Sequence, residues 1–357
     1  MQALRIYAGS AARRHLERHG LQPSDVQVIP AAAGGPKGLV LGRLDRYLFG
    51  DWLPKSGQPV ALVGASIGAW RMATACLPDP VAGFARLERD YIGQRYDFPA
   101  GRGRPLADDV SAQFAASLHS FYDGRVPALL AHPRYRLHVL AARGRMLLTR
   151  EHRWATPAGY LGAFVSNLAH RRALGAWIER VVFSAGEGGL PFGTGDFPTR
   201  RVPLDAANFH PALQASCSIP FALRAVAEIP GAPPGAYWDG GITDYHLHLQ
   251  YDTGPQGLVL YPHFQRAVVP GWLDKALRWR HRPTGFLDRM MVLAPDPAWI
   301  ATLPRGKLPD RQDFVHFRND HDARAAAWTA AAGASQQLAD EFDAWLARPD
   351  MGRVQPL

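Results

Sequence analysis

The sequence predicts an α/β protein built around parallel strands. Hydrophobic residues make up 47% of the 357 residues and charged residues 20%, as in ordinary globular proteins. Short apolar runs alternate with segments of helical periodicity along the chain. Residues 26–77 read as strand, glycine-rich turn, helix, strand, glycine-rich turn and helix, which is a βαβ unit with parallel strands. No linker or repeat divides the sequence, so we expect a single domain over residues 1–357.

The individual elements follow from local patterns in chain order. The first is a short helix that Ser10 caps and Gly20 ends. The predicted elements after it are a strand (26–35), a helix (38–49), a buried strand (59–66), a helix (67–77), a mostly helical stretch (83–130), a strand (135–143), a helical segment (159–178), a strand (180–187), a short helix (211–217) and two later strands (256–262 and 290–295) with a helix (272–282) between them. Asn319 is predicted to cap a long C-terminal helix.

Charge, cysteine content and hydropathy limit the class of protein. Lys and Arg exceed Asp and Glu by 40 to 31, for a net charge of +9, which is compatible with peripheral contact with an anionic membrane. Only this net charge would favour nucleic acid, so no nucleic-acid partner is expected. The two cysteines, Cys76 and Cys217, fit a reducing compartment. Because there is no secretory signal or long apolar run, we expect a cytoplasmic protein.

The stretch ALVGASIGAW (61–70) places a G-x-S-x-G motif, Gly64 to Gly68, between a predicted strand and a predicted helix. Serine is a weak nucleophile, so it needs exposure, a base and a site that stabilises the oxyanion. Glycine on both sides permits a tight turn that exposes the Ser66 hydroxyl, and the following helix N-terminus offers N–H groups. The alternative is a structural turn in which Ser66 is only a small residue.

A second glycine-rich turn, AAAGGPKG (31–38), follows the preceding strand. Adjacent parallel strands bring their C-terminal ends together, so the amides of Gly34, Gly35 and Gly38 would lie near Ser66. Lys37 would add positive charge there. The spacing matches neither dinucleotide-binding nor P-loop motifs. By itself the segment could equally be a Gly-Pro turn that opens a helix.

The third motif is YWDGGITDYH (237–246), in which Asp239 precedes Gly240 and Gly241. An aspartate that follows an apolar segment and precedes two glycines can be held rigidly at the end of a strand. Asp-Gly is also a common hairpin turn, so this motif alone favours a structural role.

Taken in order, the three motifs resemble the patatin-like phospholipases, lipid acyl hydrolases that use a Ser-Asp dyad. Their glycine-rich oxyanion loop, G-x-S-x-G elbow and D-G-[GA] motif correspond to Gly34–Gly38, Gly64–Gly68 and Asp239–Gly241. The segment LQASCSIPF (213–221) is similar to the family's Ala-Ser-x-x-x-Pro stretch. The resemblance covers about residues 26–245. The C-terminal strands and helix (250–347) add nothing diagnostic, and this chain lacks the family's usual Asp-Gly before the loop and its Asn-x-Pro after the D-G-G.

The resemblance implies a three-layer α/β/α fold with a mostly parallel central sheet. It also implies that Asp239 takes the proton of Ser66 and that amides of the Gly34–Gly38 loop stabilise the oxyanion. An acyl-enzyme would form and be hydrolysed, and neither a metal nor a cofactor would be needed. The expected substrate is a lipid or another acyl ester.

Two other functions remain open at this point. An α/β-hydrolase, acting as a carboxylesterase or thioesterase, would use a triad of Ser66, Asp239 or Asp244, and His263 or His316. That fold normally places more strands before its serine than 65 residues supply. A non-catalytic lipid-binding protein could share the fold, although the presence of both Ser66 and Asp239 argues against it.

Three further segments have a functional and a structural interpretation. His246 and His248 form an H-x-H near Asp244 that would face one side of a strand, but a third metal ligand at a typical spacing is missing. The glycine-rich loop 186–198 could border the substrate or be a solvated loop. Segment 272–282 mixes tryptophan with basic residues, which suits either a bilayer interface or an ordinary packed helix.

Overall fold

A computed structural model describes residues 1–99, 101 and 103–357. The strands are β1 (Leu4–Ala8), β2 (Val26–Ala31), β3 (Val60–Ala65), β4 (Tyr135–Gly144), β5 (Ile178–Ser184), β6 (Thr199–Pro203), β7 (Tyr237–Asp239), β8 (Leu258–Pro262), β9 (Met290–Pro295) and β10 (Val354–Pro356). Within these residues they form one sheet in the order β10-β1-β9-β8-β2-β3-β4-β5-β6, and β7 pairs with β4. The five neighbours β9, β8, β2, β3 and β4 are parallel. The prediction of a mostly parallel α/β sheet is confirmed.

Helices flank this sheet. They are α1 (Ser10–His19), α2 (Gly42–Tyr47), α3 (Ile67–Ala75), α4 (Pro80–Ile92), α5 (Ala107–Tyr122), α6 (Val126–Leu130), α7 (Ala155–Ala169), α8 (Phe209–Cys217), α9 (Gly241–Asp244), α10 (Pro297–Ile300), α11 (Gln312–Phe317), α12 (His321–Ala334) and α13 (Gln336–Ala347). Helix α3 packs on β2, β3 and β4, and all of its residues are buried. Among the residues described, no helix is both long and apolar enough to cross a bilayer.

A buried ion pair fixes α3 to α2. The Arg71 guanidinium donates two hydrogen bonds of 2.7 Å to the Asp45 carboxylate, and both side chains are almost fully excluded from solvent. A buried charge is stable only when it is paired, so each residue depends on the other. The pair therefore holds the helix that follows Ser66 against its neighbour.

Strands β3 and β7 meet end to end along one edge of β4. Ala65, the last residue of β3, pairs with Leu140, and Asp239, the last residue of β7, pairs with Ala141. Strand β5 occupies the opposite edge of β4, so β3 and β7 share the remaining one. Because β3 is parallel and β7 antiparallel to β4, their C-terminal ends point toward each other. The residue after β3 therefore lies next to the last residue of β7.

Two predicted helices differ from the structure because tertiary contacts decide their local conformation. Residues 272–282 contain two short 3₁₀ turns, Trp272–Asp274 and Arg278–Arg280, instead of a helix. Buried Asp274 accepts hydrogen bonds from Asn167, Arg171 and Arg280, which organises the chain around a carboxylate. The segment predicted as helical over 159–178 begins earlier, at Ala155, and its helix ends at Ala169 before a 3₁₀ turn.

Helix ends were predicted less accurately than the helices themselves. The C-terminal helix is divided at Ser335 into α12 and α13. Its N-cap is Asp320, whose carboxylate accepts the Ala323 N–H, so the prediction of Asn319 was wrong by one residue. Ser10, predicted as the N-cap of α1, is instead the first residue of the helix, and Gly9 occupies the N-cap position. Gly20 ends α1 as predicted.

Candidate active site

Ser66 occupies a strained turn between β3 and α3. Its φ of 57° and ψ of −130° are unfavourable for a residue with a side chain, and such strain is concentrated at functional sites. The two flanking glycines permit the close contacts of this turn. A Cβ on Gly68 would lie 1.9 Å from the carbonyl oxygen of Ala31, and one on Gly64 would lie 2.6 Å from the amide nitrogen of Ala69. Both glycines of the motif are therefore required by backbone packing.

The structure brings Ser66 and Asp239 into direct contact. The Ser66 hydroxyl donates a hydrogen bond of 2.7 Å to Asp239 Oδ2, while Asp239 Oδ1 accepts the N–H of Gly241 at 2.7 Å. Burial raises the pKa of Asp239, and the positive charge of Arg311 and these two hydrogen bonds partly oppose that rise. A desolvated carboxylate with a raised pKa is a stronger base than one in water. The pair can therefore transfer a proton from the serine hydroxyl to Asp239 without an intervening histidine.

The end of α8 holds both members of this pair. The Ser66 N–H donates to Ser216 Oγ at 3.0 Å, and the Ser216 hydroxyl donates to the carbonyl of Leu140 at 2.6 Å. The carbonyl of Ser218 accepts the N–H of Asp239 at 2.8 Å. Segment 213–221 is similar to a stretch of the patatin-like family, but this similarity indicates no role for Ser216. Ser216 is a positioning residue, since it fixes the backbone of Ser66.

Glycines 240 and 241 allow the chain to pass close to its neighbours after Asp239. A Cβ on Gly240 would lie 2.1 Å from the carbonyl oxygen of Leu140, and one on Gly241 would lie 2.6 Å from the Cβ of Ala33. The segment after Asp239 thus packs directly on the glycine-rich turn that follows β2. A side chain at either position would displace Asp239.

The glycine-rich turn is only partly placed as the sequence predicts. Gly35, with a φ of 57°, borders the same cavity as Ser66. Gly34 packs against the ring of Phe264, and Gly38 packs against Ile67, with ideal Cβ positions 2.6 and 3.1 Å from those side chains. The Lys37 Nζ lies 5.1 Å from the centre of the Phe264 ring. Of the four predicted oxyanion-loop residues, therefore, only Gly35 is among the described residues that line the cavity.

The cavity beside Ser66 has a volume of about 550 Å³ and is mainly apolar. Its apolar walls come from α3, α4, α5, α11 and the segment after α8. The large apolar side chains that line it are Ile67, Trp70, Tyr91, Tyr96, Phe98, Val110, Phe114, Ile219, Phe221, Leu223, Trp272, Phe314 and Val315. Ligand sites commonly combine such walls with a few polar groups at one end. This cavity can enclose an acyl chain with its carbonyl at Ser66.

Arg311 is a cation at this cavity that sequence reasoning missed. A Cβ on Gly35 would lie 3.3 Å from Arg311 Nε, so the guanidinium lies beside the glycine-rich turn. Lys37 has a lowered pKa, mainly through burial and then through the positive charges of Lys275, Lys307 and Arg311. Lys307 pairs with Asp310 and Asp313, both at 2.8 Å, whereas Lys37, Lys275 and Arg311 have no acidic partner among the described ion pairs. The glycine-rich turn beside Ser66 therefore lies near unpaired cations.

The residues of the alternative Ser-His-Asp triad are not brought together. Asp244 accepts two hydrogen bonds of 2.7 and 2.6 Å from buried Arg180, so it is a structural ion-pair partner. His263 is buried, and its ring packs against that of His246. His316 is exposed on α11. Among the described residues, neither His263 nor His316 hydrogen-bonds to the Ser66 hydroxyl.

The H-x-H segment and the loop 186–198 make contacts that support the fold. His246 and His248 follow α9 in irregular backbone, so the prediction of a strand there was wrong. Their Nδ1 atoms lie 3.1 and 3.0 Å from backbone carbonyls, and the described residues contain no group of three that could hold a metal ion. In the loop 186–198, Asp196 pairs with Arg180 at 2.9 Å. No residue of that loop is among the described cavity-lining residues.

Comparison with known proteins gives a weak structural similarity to a phospholipase. No family model and no curated protein matches the sequence. Among solved structures, human GIVD cytosolic phospholipase A2 aligns with 94% of this chain at 13% identity and a TM-score of 0.38. The chain covers 62% of that protein's chain, less than two thirds of its length.

Proposed function

We propose that this protein is a serine acyl hydrolase of the patatin-like phospholipase type that cleaves acyl esters of lipids. The observation that carries the proposal is the 2.7 Å hydrogen bond from the Ser66 hydroxyl to Asp239 at the wall of a large apolar cavity. The strained backbone of Ser66 adds support, because it places this residue at the wall of the cavity, between a strand and a helix. The cavity volume of about 550 Å³ suits a medium- to long-chain acyl group.

The reaction would proceed through a covalent acyl-enzyme. Asp239 accepts the proton as Ser66 Oγ attacks the ester carbonyl, which forms a tetrahedral oxyanion. The carbon–oxygen bond to the alcohol then breaks, and the alcohol leaves with the proton from Asp239. A water molecule next gives a proton to Asp239 and attacks the acyl-enzyme, which releases the fatty acid and restores the Ser66 hydroxyl.

Backbone amides would stabilise the oxyanion. Gly35 and Ile67 both border the cavity beside Ser66. Ile67 is the first residue of α3, and the N–H groups of a first helical turn lack partners within the helix. We infer that these two amides are the donors, each contributing a factor of about 10²–10³ to the rate.

The positive charges around the site support an ester with an anionic alcohol part. Arg311 borders the cavity. The pKa of Lys275 is lowered mainly by burial and then by the positive charge of Arg311, so the two cations lie near each other. Neither residue has an acidic partner among the described ion pairs. A phosphate group on the alcohol side of the ester would be attracted to both cations. This favours a phospholipid over a neutral lipid.

Labelling with a fluorophosphonate probe tests the nucleophile. The adduct is expected on Ser66, and Ser66→Ala should abolish labelling. Ser184→Ala is the matched control, because Ser184 is also buried and lies 2.9 Å from a histidine nitrogen, that of His138. Retained labelling in Ser66→Ala, or loss of labelling in the control, would contradict the assignment.

The base and the substrate need separate measurements. Asp239→Asn should abolish turnover of p-nitrophenyl esters while the fold is retained, whereas His263→Gln should leave turnover in place. A dependence on His263 would instead favour the triad.

A series of esters of increasing chain length, compared with phospholipids of the same acyl groups, identifies the preferred substrate. No preference for longer chains would contradict the role given to the cavity.

A further inference from the structure

Helix α7 presents an apolar face to solvent. Its sequence, ATPAGYLGAFVSNLA, contains no charged residue. Leu161, Val165 and Leu168 are 65%, 57% and 42% exposed, and their spacing places them on one side of the helix. The opposite side packs inward through residues such as Tyr160 and Ala163. A surface helix normally carries charged residues on its outer face, so this face is unusual for a surface that meets only water.

The apolar face extends beyond the helix at both ends. Trp154, immediately before α7, is 69% exposed, and Met146 and Leu147 lie exposed on an adjoining 3₁₀ turn. Trp279 is 63% exposed near the other end, where the neighbouring Arg280 donates a hydrogen bond to the carbonyl of Asn167. We call the set Met146, Leu147, Trp154, Leu161, Val165, Leu168 and Trp279 the α7 surface. Several exposed apolar side chains on one helix and its neighbouring segments indicate an interaction site.

The unpaired charges around the α7 surface are positive. Arg150 and Arg153 precede the helix, Arg172 follows it, and all three are exposed without an acidic partner among the described ion pairs. The Arg153 guanidinium lies 4.7 Å from the centre of the Trp154 ring. The nearby acids are already paired with arginine: buried Asp274 pairs with Arg171 and Arg280, and Glu151 pairs with Arg224 at 3.2 Å. Tryptophan and arginine at the margins of an apolar face are the composition expected at a membrane interface.

Helix α7 also contacts a residue that lines the cavity. Tyr160, on the inner side of α7, contacts Phe221 edge to face at 5.7 Å between ring centres. Phe221 is itself exposed, and it lines the cavity that contains Ser66. The inner side of α7 therefore packs on a residue at the rim of the cavity, while the α7 surface lies on the outer side of the same helix.

We propose that the α7 surface docks on an anionic lipid bilayer, with the helix lying in the interface and the arginines at the headgroups. With 15 residues, α7 is too short to cross the hydrocarbon core. Apolar side chains and a positive margin together match an anionic bilayer better than a second copy of this basic chain, whose like charges would repel. This inference goes beyond the proposed hydrolysis, because it concerns binding and can be measured in a catalytically inactive protein.

Co-sedimentation of the Ser66→Ala protein with vesicles tests the docking. We expect binding to mixed phosphatidylcholine and phosphatidylglycerol vesicles, and binding at least about tenfold weaker for Leu161→Ser/Val165→Ser. Val81→Ser is the control, because Val81 is an exposed valine on α4, and its binding should be unchanged. Arg150→Gln/Arg153→Gln should lose roughly fivefold per arginine on these vesicles and little on phosphatidylcholine alone. Equal binding of all variants would overturn the proposal.

A fluorescent probe distinguishes a bilayer from a second copy of the chain. Both native cysteines are buried, so Leu161→Cys can be labelled selectively with a polarity-sensitive nitrobenzoxadiazole group. Its emission should shift to the blue when vesicles are added, whereas the same group on Val81→Cys should not respond. A label that is already shielded without lipid in a concentration-dependent dimer would overturn the proposal and identify a second copy as the occupant. Since hydrolysis is not measured, a negative result here leaves the assignment of Ser66 unaffected.

Discussion

Replacing Ser216 by alanine removes a hydroxyl that satisfies two buried backbone groups. Its oxygen accepts the N–H of Ser66 at 3.0 Å, and its proton is donated to the carbonyl of Leu140 at 2.6 Å. Ser216 is fully buried, so water does not readily replace it. A buried backbone group left without a partner costs about 1–3 kcal/mol. Two such groups predict a loss of roughly 2–6 kcal/mol in the free energy of unfolding.

Urea unfolding of Ser216→Ala measures this loss, and ester hydrolysis measures its effect on the site. The turnover number should fall more than the Michaelis constant rises, because the Ser66 backbone loses its anchor while the apolar cavity is unchanged. Ser335→Ala is the control. Its hydroxyl is also fully buried, but it makes a single hydrogen bond, to the carbonyl of Ala332 at 2.7 Å.

The control should lose only about 0.5–1.5 kcal/mol and keep its activity. If Ser216→Ala is as stable and as active as Ser335→Ala, the two hydrogen bonds do not position Ser66, and the reasoning fails.

Two further predictions concern paired and unpaired charges. Arg71→Met leaves the buried Asp45 carboxylate without its partner and should cost about 3–5 kcal/mol in urea unfolding, while Asp45→Leu added to it should recover much of the loss. A loss below about 1 kcal/mol would contradict this. The acid limb of kcat/KM should follow ionisation of Asp239, so activity falls as the pH drops through a pKa above that of an ordinary aspartate. Because Arg311 lowers that pKa, Arg311→Gln should move the limb to higher pH. An unchanged limb would place Arg311 too far away to matter.

The parallel core was predictable because its signals are local in sequence. The strand, turn and helix around Ser66 follow from an apolar run, two glycines and a helical pattern within residues 59–77. Adjacent parallel strands then place the turn after β2 beside the turn after β3, and this brings Gly35 to the cavity of Ser66. The fit of Gly68 against Ala31 leaves no room for a side chain at this position of the motif.

Other features depend on contacts between distant parts of the chain, so no local pattern indicates them. Arg311 reaches the cavity from a segment without a motif, and Ser216 is one of several small residues at the end of α8. The edge strand β10 and its neighbour β1 are not predicted, since β10 has three residues and pairs only with β1 among the described strands. Segment 272–282 has a helical pattern, but the buried carboxylate of Asp274 determines its turns.

Because β3 and β7 meet end to end on β4, the proposed activity requires that β7 has paired with β4. Ser66 and Asp239 are 173 residues apart in sequence, and β7 has only three residues with which to find its register on β4. A slip of one residue would turn Asp239 to the other face of the sheet. A nascent or misfolded chain that has formed its N-terminal βαβ unit therefore holds a serine without a base. Such a chain lacks the proposed catalytic pair until β7 pairs with β4, and recovery of ester hydrolysis during refolding should trail the recovery of helical structure.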